Sequence, residues 1–585
     1  MVYVGLPDLG RMILTSLDDV VRAALAKLDE QRFCQRLWER DPSLWKSEPG
    51  HQRVIKNALG WLTVPSSMLG QVDEILRFVD EVRSVGFKHA IVLGMGGSSL
   101  CPDVCRATFG TAPGFLELHV LDSTVPASVA HVEKSVDVAK TLFLVSSKSG
   151  GTAETTSFYK YFYYRVGNLK GERAGENFVA VTDPGTSLEK LALERRFRRV
   201  FHGQPDIGGR YSALSNFGMV PAALAGVDVR GLLAGAGEMV RTCSGNVSAQ
   251  DNPGAWLGVT MAEAARAGRD KITFVISPRI ETFADWAEQL IAESTGKEGK
   301  GLVPVAGEAL GEPAAYGDDR LFVHLRLAGE TEEDVERKLQ ALEVAGHPVI
   351  RIELQDVLDL GKEFFRWEVA TATAGALLGI NPFDQPNVQE SKDNTNRLLA
   401  QFGAQGKFVE DAPVVESEGV GFYCDATARS SLERATKPRA MTDYLAVFLG
   451  QARPGDYVAL LAYLEPSSEH KARVESIRLR VRDALRLATT VGFGPRYLHS
   501  TGQLHKGGAA NGLFIQITAD DAEDLPVPGE PYSFSVLKQA QALGDLQSLQ
   551  SKNRRVVRFH LGKSVQAGLE HLTGVVETAL KEMIR

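Results

Sequence analysis

The sequence predicts an α/β protein built on doubly wound parallel sheets, and two series of segments carry that expectation. From Lys88 onward, short apolar runs alternate with helical patterns: HAIVLG, LELHVLDS, TLFLVSS, NFVAVTD and RRVFHG. A second series, ITFVISP, GLVPVAG, LFVHLRL and PVIRIEL, has the same texture. Short apolar runs separated by helix-period stretches are the pattern of β-α units, whose strands pair in parallel and are covered by helices.

The 585 residues exceed one ordinary core, which predicts two to four domains. Residues 1–84 read as a helical N-terminal segment, 85–235 and 236–410 as two α/β domains, and 411–585 as a further α/β region. That last region holds YVALLAYL, GLFIQIT and VVRFHLG, and the polar, acidic stretch Phe408–Gly419 reads as the linker to it. A net charge of −8 gives no sign of nucleic-acid or membrane-surface binding. The five cysteines lack a CxxC pair, which fits a reducing compartment; Cys101 and Cys105 are spaced for one helix face. The start MVYVGLPDLG has no basic stretch leading an apolar run, and no apolar run reaches the length of a membrane span. A cytoplasmic protein is expected.

Five segments carry chemistry. In VLGMGGSSL a strand ends in Gly94, Gly96 and Gly97 before Ser98 opens a helix, an arrangement suited to anions. In LVSSKSGGTAET, Ser147, Lys148, Ser149 and Thr152 crowd a Gly-rich turn ahead of a helix, which suits a phosphate monoester. In IGGRYSALSNFG, Arg210 follows two glycines and serves either as an oxyanion stabiliser or as an interdomain ion-pair partner. In IAESTGKEGKG, Glu293 sits where an amphipathic helix (Phe283, Trp286, Ala287, Leu290 and Ile291 inward) gives way to a Gly-rich turn with Lys297 and Lys300. Taken alone, that segment reads rather as a helix end with solvated charges. In LHSTGQLHKGG, after a strand-like GPRYL, His499 and His505 are acid/base candidates in a Gly-rich loop; two histidines six apart make a poor metal site.

Together with NPFDQPNVQESK, these segments resemble the glucose-6-phosphate isomerases. The matches GMGGSS, SSKSGGTAET, GGRYS, ESTGKEGKG and NPFDQPNVQESK stand in the family's order over roughly residues 85–395. The isomerase half of bacterial transaldolase fusion proteins is similar also in RYLHS and HSTGQLHKGG, which extends the resemblance to nearly the whole chain. About 85 residues ahead of the first strand leave no room for the transaldolase barrel. The resemblance implies two sugar isomerase (SIS) domains and aldose–ketose isomerisation of glucose 6-phosphate and fructose 6-phosphate, with no cofactor and no metal. It implies that Gly97, Ser98, Ser147, Lys148, Ser149 and Thr152 hold the phosphate. Glu293 then moves the C2–C1 proton, Arg210 stabilises the enediolate, and Lys392 helps a histidine open the sugar ring; Gln385 matches the family's glutamine.

One feature departs from the family pattern. The ring-opening histidine usually lies between the base and the Gln/Lys segment, yet after Glu293 this chain reads VPVAGEALGEPAAYGDD without a histidine. The H-S-x-G-Q pattern falls instead at His499–Gln503, which is expected to fold back to the same pocket. Elsewhere in the family that histidine comes from the partner subunit of a homodimer, so both an intrachain and an intersubunit histidine are open readings. The alternatives are isomerisation of another phosphosugar such as mannose 6-phosphate, a non-catalytic sugar-phosphate-binding regulator, and a nucleotide-binding oxidoreductase resting on the glycine loop alone.

Overall fold

The computed structural model describes residues 12–13, 17–435 and 440–584; the first ten residues, read above for a leader, lie outside these. Three sheets organise the chain. The first runs in the order Glu117–Leu121, His89–Gly94, Thr141–Ser146, Phe178–Thr182, Arg199–His202, all parallel. The second places Val349–Leu354, Arg320–Leu327, Lys271–Ile276 and Val303–Val305 side by side in parallel. Its far edge is closed by an antiparallel Met12–Ile13, a strand the sequence pattern did not announce. In the third, Arg555–His560, Gly512–Thr518, Tyr457–Tyr463 and Ala488–Phe493 are parallel. Val420–Tyr423 and Val415–Ser417 extend that sheet antiparallel. Both expected series of β-α units therefore form doubly wound sheets. We propose 85–235, 236–410 and 411–585 as the domain division, since one parallel sheet falls in each.

The strand period of two decides how the layers pack. In the first sheet Val92, Leu144 and Val181 face one way, and Ile91, Leu93, Phe143 and Val145 the other. The first face joins the largest core, together with Ile272, Val323 and Ile352 of the second sheet and Val21, Leu37 and Trp61 of the N-terminal helices. The segment before residue 85 is thus built into the shared core. In the third sheet Val458, Leu460 and Ala462 make that unit's own core. Tyr457, Ala459, Leu461 and Tyr463 pack instead with Ala292, Val303 and Val305 of the second unit. Ala292 is the neighbour of Glu293, so one face of the third sheet rests directly on the end of that helix.

Three expectations change. GPRYL is not a strand: the strand is Ala488–Phe493, and Arg496–His499 is a tight helical turn after it. His505 lies in the short helix Gly502–Gly507 and is buried. The stretch read as a linker ends in the edge strand Val415–Ser417. Cys101 and Cys105 are both buried on the helix Leu100–Phe109, as their spacing implies. None of the described helices is long and apolar enough to cross a membrane.

The three units meet around Arg496. Its guanidinium pairs with Asp103 at 3.2 Å, Asp122 at 3.3 Å and Asp285 at 3.5 Å. These carboxylates belong to the first and second units, so the arginine ties the histidine-bearing turn to both. It borders a cavity of about 460 Å³ that is also lined by Glu288, Lys471 and Arg478. Burial, reinforced by Asp285, pushes the Glu288 carboxyl up to about 8. In the unfolded chain that carboxyl releases its proton near its ordinary value of 4.5, well before the folded protein does. Over the interval between the two values the folded state binds more protons, so this group's contribution to stability falls as pH rises. Glu288→Gln removes the titration. Denaturant unfolding from about pH 5 to about pH 8 is expected to show the variant gaining stability over the parent as pH rises. Parallel pH profiles would contradict the assigned burial.

Candidate active site

Most of the chemistry-bearing residues follow the carboxyl ends of parallel strands, where open α/β sheets place their ligand crevices; Gln385 and Lys392 follow the helix Leu360–Leu378 instead. The glycine loop follows His89–Gly94, the Ser/Lys turn follows Thr141–Ser146, and His499 follows Ala488–Phe493. The helix Phe283–Thr295, which ends in Glu293, follows Lys271–Ile276. Its inward residues Phe283, Trp286, Ala287, Leu290 and Ile291 are fully buried, and this holds the carboxylate on a rigid support.

Arg210 is the centre of the site and is itself buried. It lies in the turn Gly209–Tyr211, and Tyr211 packs between Trp61 and Phe383 with ring centroids 5.4 and 5.3 Å away. Nε donates to Ser294 Oγ at 2.7 Å, and Nη2 donates to the carbonyls of Pro382 (2.6 Å) and Asp384 (3.0 Å). Nη1 donates to Gln385 Oε1 at 3.1 Å and lies 3.3 Å from Glu293 Oε1. A guanidinium has five N–H groups in a fixed fork, so three anchor it to the scaffold and the Nη1 pair faces the reactive side. Beside it, Lys297 is buried on Asp384 Oδ1 at 2.9 Å. Burial and the field of Arg210 pull the Lys297 ammonium down to about 8, against the pull of Asp384. Lys300 donates to the Leu378 carbonyl at 2.8 Å. The two lysines therefore brace the turn after Glu293.

Glu293 and His499 are joined by a residue that the sequence reading missed. Gln289, one turn before Glu293, donates through Nε2 to Glu293 Oε2 at 3.0 Å and to the His499 carbonyl at 2.8 Å. The His499 ring bonds through Nε2 to Glu154 Oε1 at 2.9 Å. Gln541 of the third unit donates to the same oxygen at 2.7 Å and accepts from Thr124 at 2.7 Å. Burial pushes the Glu154 carboxyl up. The charge and hydrogen bond of His499, its own backbone N–H and the field of Lys392 outweigh that, so it stays below the usual carboxylate range. Glu154 was visible as the acid of TAET, directly after the cradle; Gln541 has no local signal. His505 makes no contact with these groups: it is packed among Tyr457, Tyr497 and Phe514, and burial drives it well below its ordinary range.

The glycine loop and the Ser/Lys turn lie against this group. A Cβ on Gly97 would sit 1.9 Å from the Gly209 carbonyl oxygen, so only glycine lets the GMGGSS loop close on the arginine turn. Ser98 is buried there. Ser147 Oγ and Thr152 Oγ1 are 3.0 Å apart at the start of the helix Ala153–Lys170, where Thr152 makes no side-chain cap. Its first-turn N–H groups remain a natural seat for an anion. Ser149 is exposed at the same turn. Lys148 is turned onto Asp183 and also donates to the Pro205 carbonyl at 3.3 Å. Lys392, on the helix Val388–Gln405, is exposed and reaches the group only through its field on Glu154.

Residues 70–317 match the family model described as phosphoglucose isomerase. The chain is 29% identical over 399 residues to the glucose-6-phosphate isomerase of Rubrobacter xylanophilus, which covers 60% of this chain and 91% of that protein. It is 29% identical over 412 residues to that of Carboxydothermus hydrogenoformans, covering 61% and 88%. A hypothetical protein from Thermus thermophilus superposes with a TM-score of 0.56 at 27% identity, over 67% of this chain and 99% of that one. Over these residues, which include the ordered motifs around Arg210 and Glu293, the chain is similar to the phosphoglucose isomerases.

Proposed function

We propose that this protein interconverts glucose 6-phosphate and fructose 6-phosphate through a cis-enediolate, as a step of glycolysis and gluconeogenesis in the cytoplasm. The observation that carries the reading is the single half-buried chain Arg210–Glu293–Gln289–His499–Glu154, which joins a base, an oxyanion donor and an acid/base histidine. Aldose–ketose isomerisation needs those three functions: proton transfer at carbon, charge stabilisation on the enediolate, and proton exchange at the ring oxygen.

The phosphate seats on the hydroxyls of Ser147, Ser149 and Thr152, on the N–H groups of the helix they open, and beside Gly97 and Ser98. Lys148 supplies charge there by leaving Asp183. This remote binding orients the reacting carbons at the other end of the substrate. His499, held as an acid/base by Glu154, exchanges the protons that open the pyranose ring, with Lys392 at the rim. Glu293 carries the proton from C2 to C1. The Nη1 side of Arg210, exchanging its contact with Gln385 for the substrate, takes the oxyanion charge. The histidine is supplied by the same chain that supplies the base, so no second subunit is needed to complete the site.

Formation of fructose 6-phosphate from glucose 6-phosphate, followed in a coupled assay, tests the activity; it is expected to persist in EDTA because Arg210 carries the oxyanion role. Glu293→Gln is expected to lower isomerisation by about a hundredfold to ten-thousandfold while retaining a sugar-phosphate inhibitor. Full activity would remove the assigned base. His499→Ala is expected to slow turnover of cyclic glucose 6-phosphate more than exchange on an open-chain substrate, and Glu154→Gln to act in the same direction by a smaller factor. Equal losses on both substrates, or normal turnover of the Glu154 variant, would contradict the ring-opening pair.

A further inference from the structure

The amino-terminal end of the first sheet, opposite the substrate site, carries a second cluster that none of this chemistry uses. His89 opens the strand His89–Gly94, and its register partner on the adjacent strand is Glu117. His119 stands two residues further along the same strand as Glu117, so all three side chains share one face of the sheet. The cluster lies about five strand residues, roughly 15 Å, from the carboxyl ends that hold the substrate site.

We propose that His89, Glu117 and His119 bind a divalent transition-metal ion, Zn²⁺ in the first instance. Their ligand atoms all lie within 4.8 Å of one another. His89 Nδ1 is 3.3 Å from Glu117 Oε2, and His119 Nε2 is 3.8 Å from Glu117 Oε1. Tetrahedral zinc with bonds near 2.1 Å places its ligand atoms about 3.4 Å apart, so the observed spacing needs only a small closure. Two imidazoles and one carboxylate are a zinc ligand set, and a water takes the fourth position.

The hydrogen bonding points the same way. His89 Nδ1 and His119 Nε2 are both buried, and neither makes a hydrogen bond. Each faces the carboxylate, yet no proton is aligned to serve it. A bound cation satisfies both lone pairs and the carboxylate at once. The rings are tilted by 47° with centroids 5.8 Å apart, converging on the carboxylate without stacking. Glu117 is 59% exposed, which leaves an open side for the ion to enter.

Because the ion would join the first residues of two neighbouring strands, its effect falls on the stability of the first sheet and not on catalysis. The test titrates Zn²⁺ calorimetrically, and Co²⁺ by its visible absorption, into the metal-free full chain. One equivalent is expected to bind at micromolar or lower concentration, with the intense cobalt bands of a low-coordinate nitrogen/oxygen site. Glu117→Gln, at an exposed side chain, is expected to weaken binding at least about tenfold. The double variant His89→Asn/His119→Asn is expected to lose the site. Zinc is expected to raise the thermal midpoint of the parent by about 2 °C or more and to leave isomerisation unchanged. Absence of binding to the parent, or binding that both variants retain at parental strength, would overturn the proposal.

Discussion

The proposed catalytic arrangement depends on one docking contact, between the turn and short helix spanning residues 496–508 and the end of the helix that carries Glu293. Gln503 makes it specific. Its amide donates to the Gly296 carbonyl at 2.9 Å and to Asn387 Oδ1 at 2.8 Å, and its oxygen accepts from the Asn387 N–H at 2.9 Å. One side chain thus joins the base segment, the Gln/Lys segment and the histidine loop. A Cβ on Gly296 would sit 2.3 Å from Leu504 Cα, so the two backbones meet only because that residue is glycine. Gln503 and Gly296 are buried, and orphaning a buried polar group costs about 1–3 kcal/mol. The register of this contact fixes where His499 stands relative to Glu293.

Behind the contact, buried charge is arranged in closed pairs. Lys506 and Asp545 meet at 2.6 Å with both side chains buried, and Asp545 also accepts from Tyr497 at 2.6 Å. Arg496 holds three carboxylates from the two other units. Breaking the fully buried Lys506–Asp545 pair leaves an unpaired charge in a low-dielectric surround, which is far more costly than the pair is stabilising. The histidine turn is consequently held from both ends, by Arg496 before it and Lys506 after it. This is the preorganisation that electrostatic catalysis requires, since dipoles already in place need no reorganisation when charge develops.

Much of the fold was legible because strand and helix periods are local. HAIVLG, TLFLVSS and ITFVISP each become a central strand, and the inward face of Phe283–Thr295 is the one its spacing implies. What escaped was nonlocal. Met12–Ile13 is a strand only because an edge of the second sheet accepts it. Ala488–Phe493, ATTVGF, lacks the continuous apolar run that marks other parallel strands, and the turn after it reads more like a strand than it does. In the site, Arg210, Glu293 and Gln385 come together as their motifs suggest. Lys148 and Lys392 carry their motif positions but not its contacts, because Asp183 engages the first and solvent the second. Glu154 and Gln289 sat in plain view as polar residues within a turn of recognised motifs. Gln541, nearly four hundred residues from Glu154, was invisible until the third sheet was seen to pack on the first two.

In the proposed mechanism one chain supplies both the base and the ring-opening histidine. Mixing the separately impaired Glu293→Gln and His499→Ala proteins under conditions that exchange subunits tests this most directly. If base and histidine act within one chain, no mixed assembly holds a complete site, and the mixture stays no more active than its components. If the histidine crosses to a neighbouring subunit, mixed assemblies contain one intact site each, and recovery of a substantial share of parental isomerase activity would contradict the intrachain arrangement.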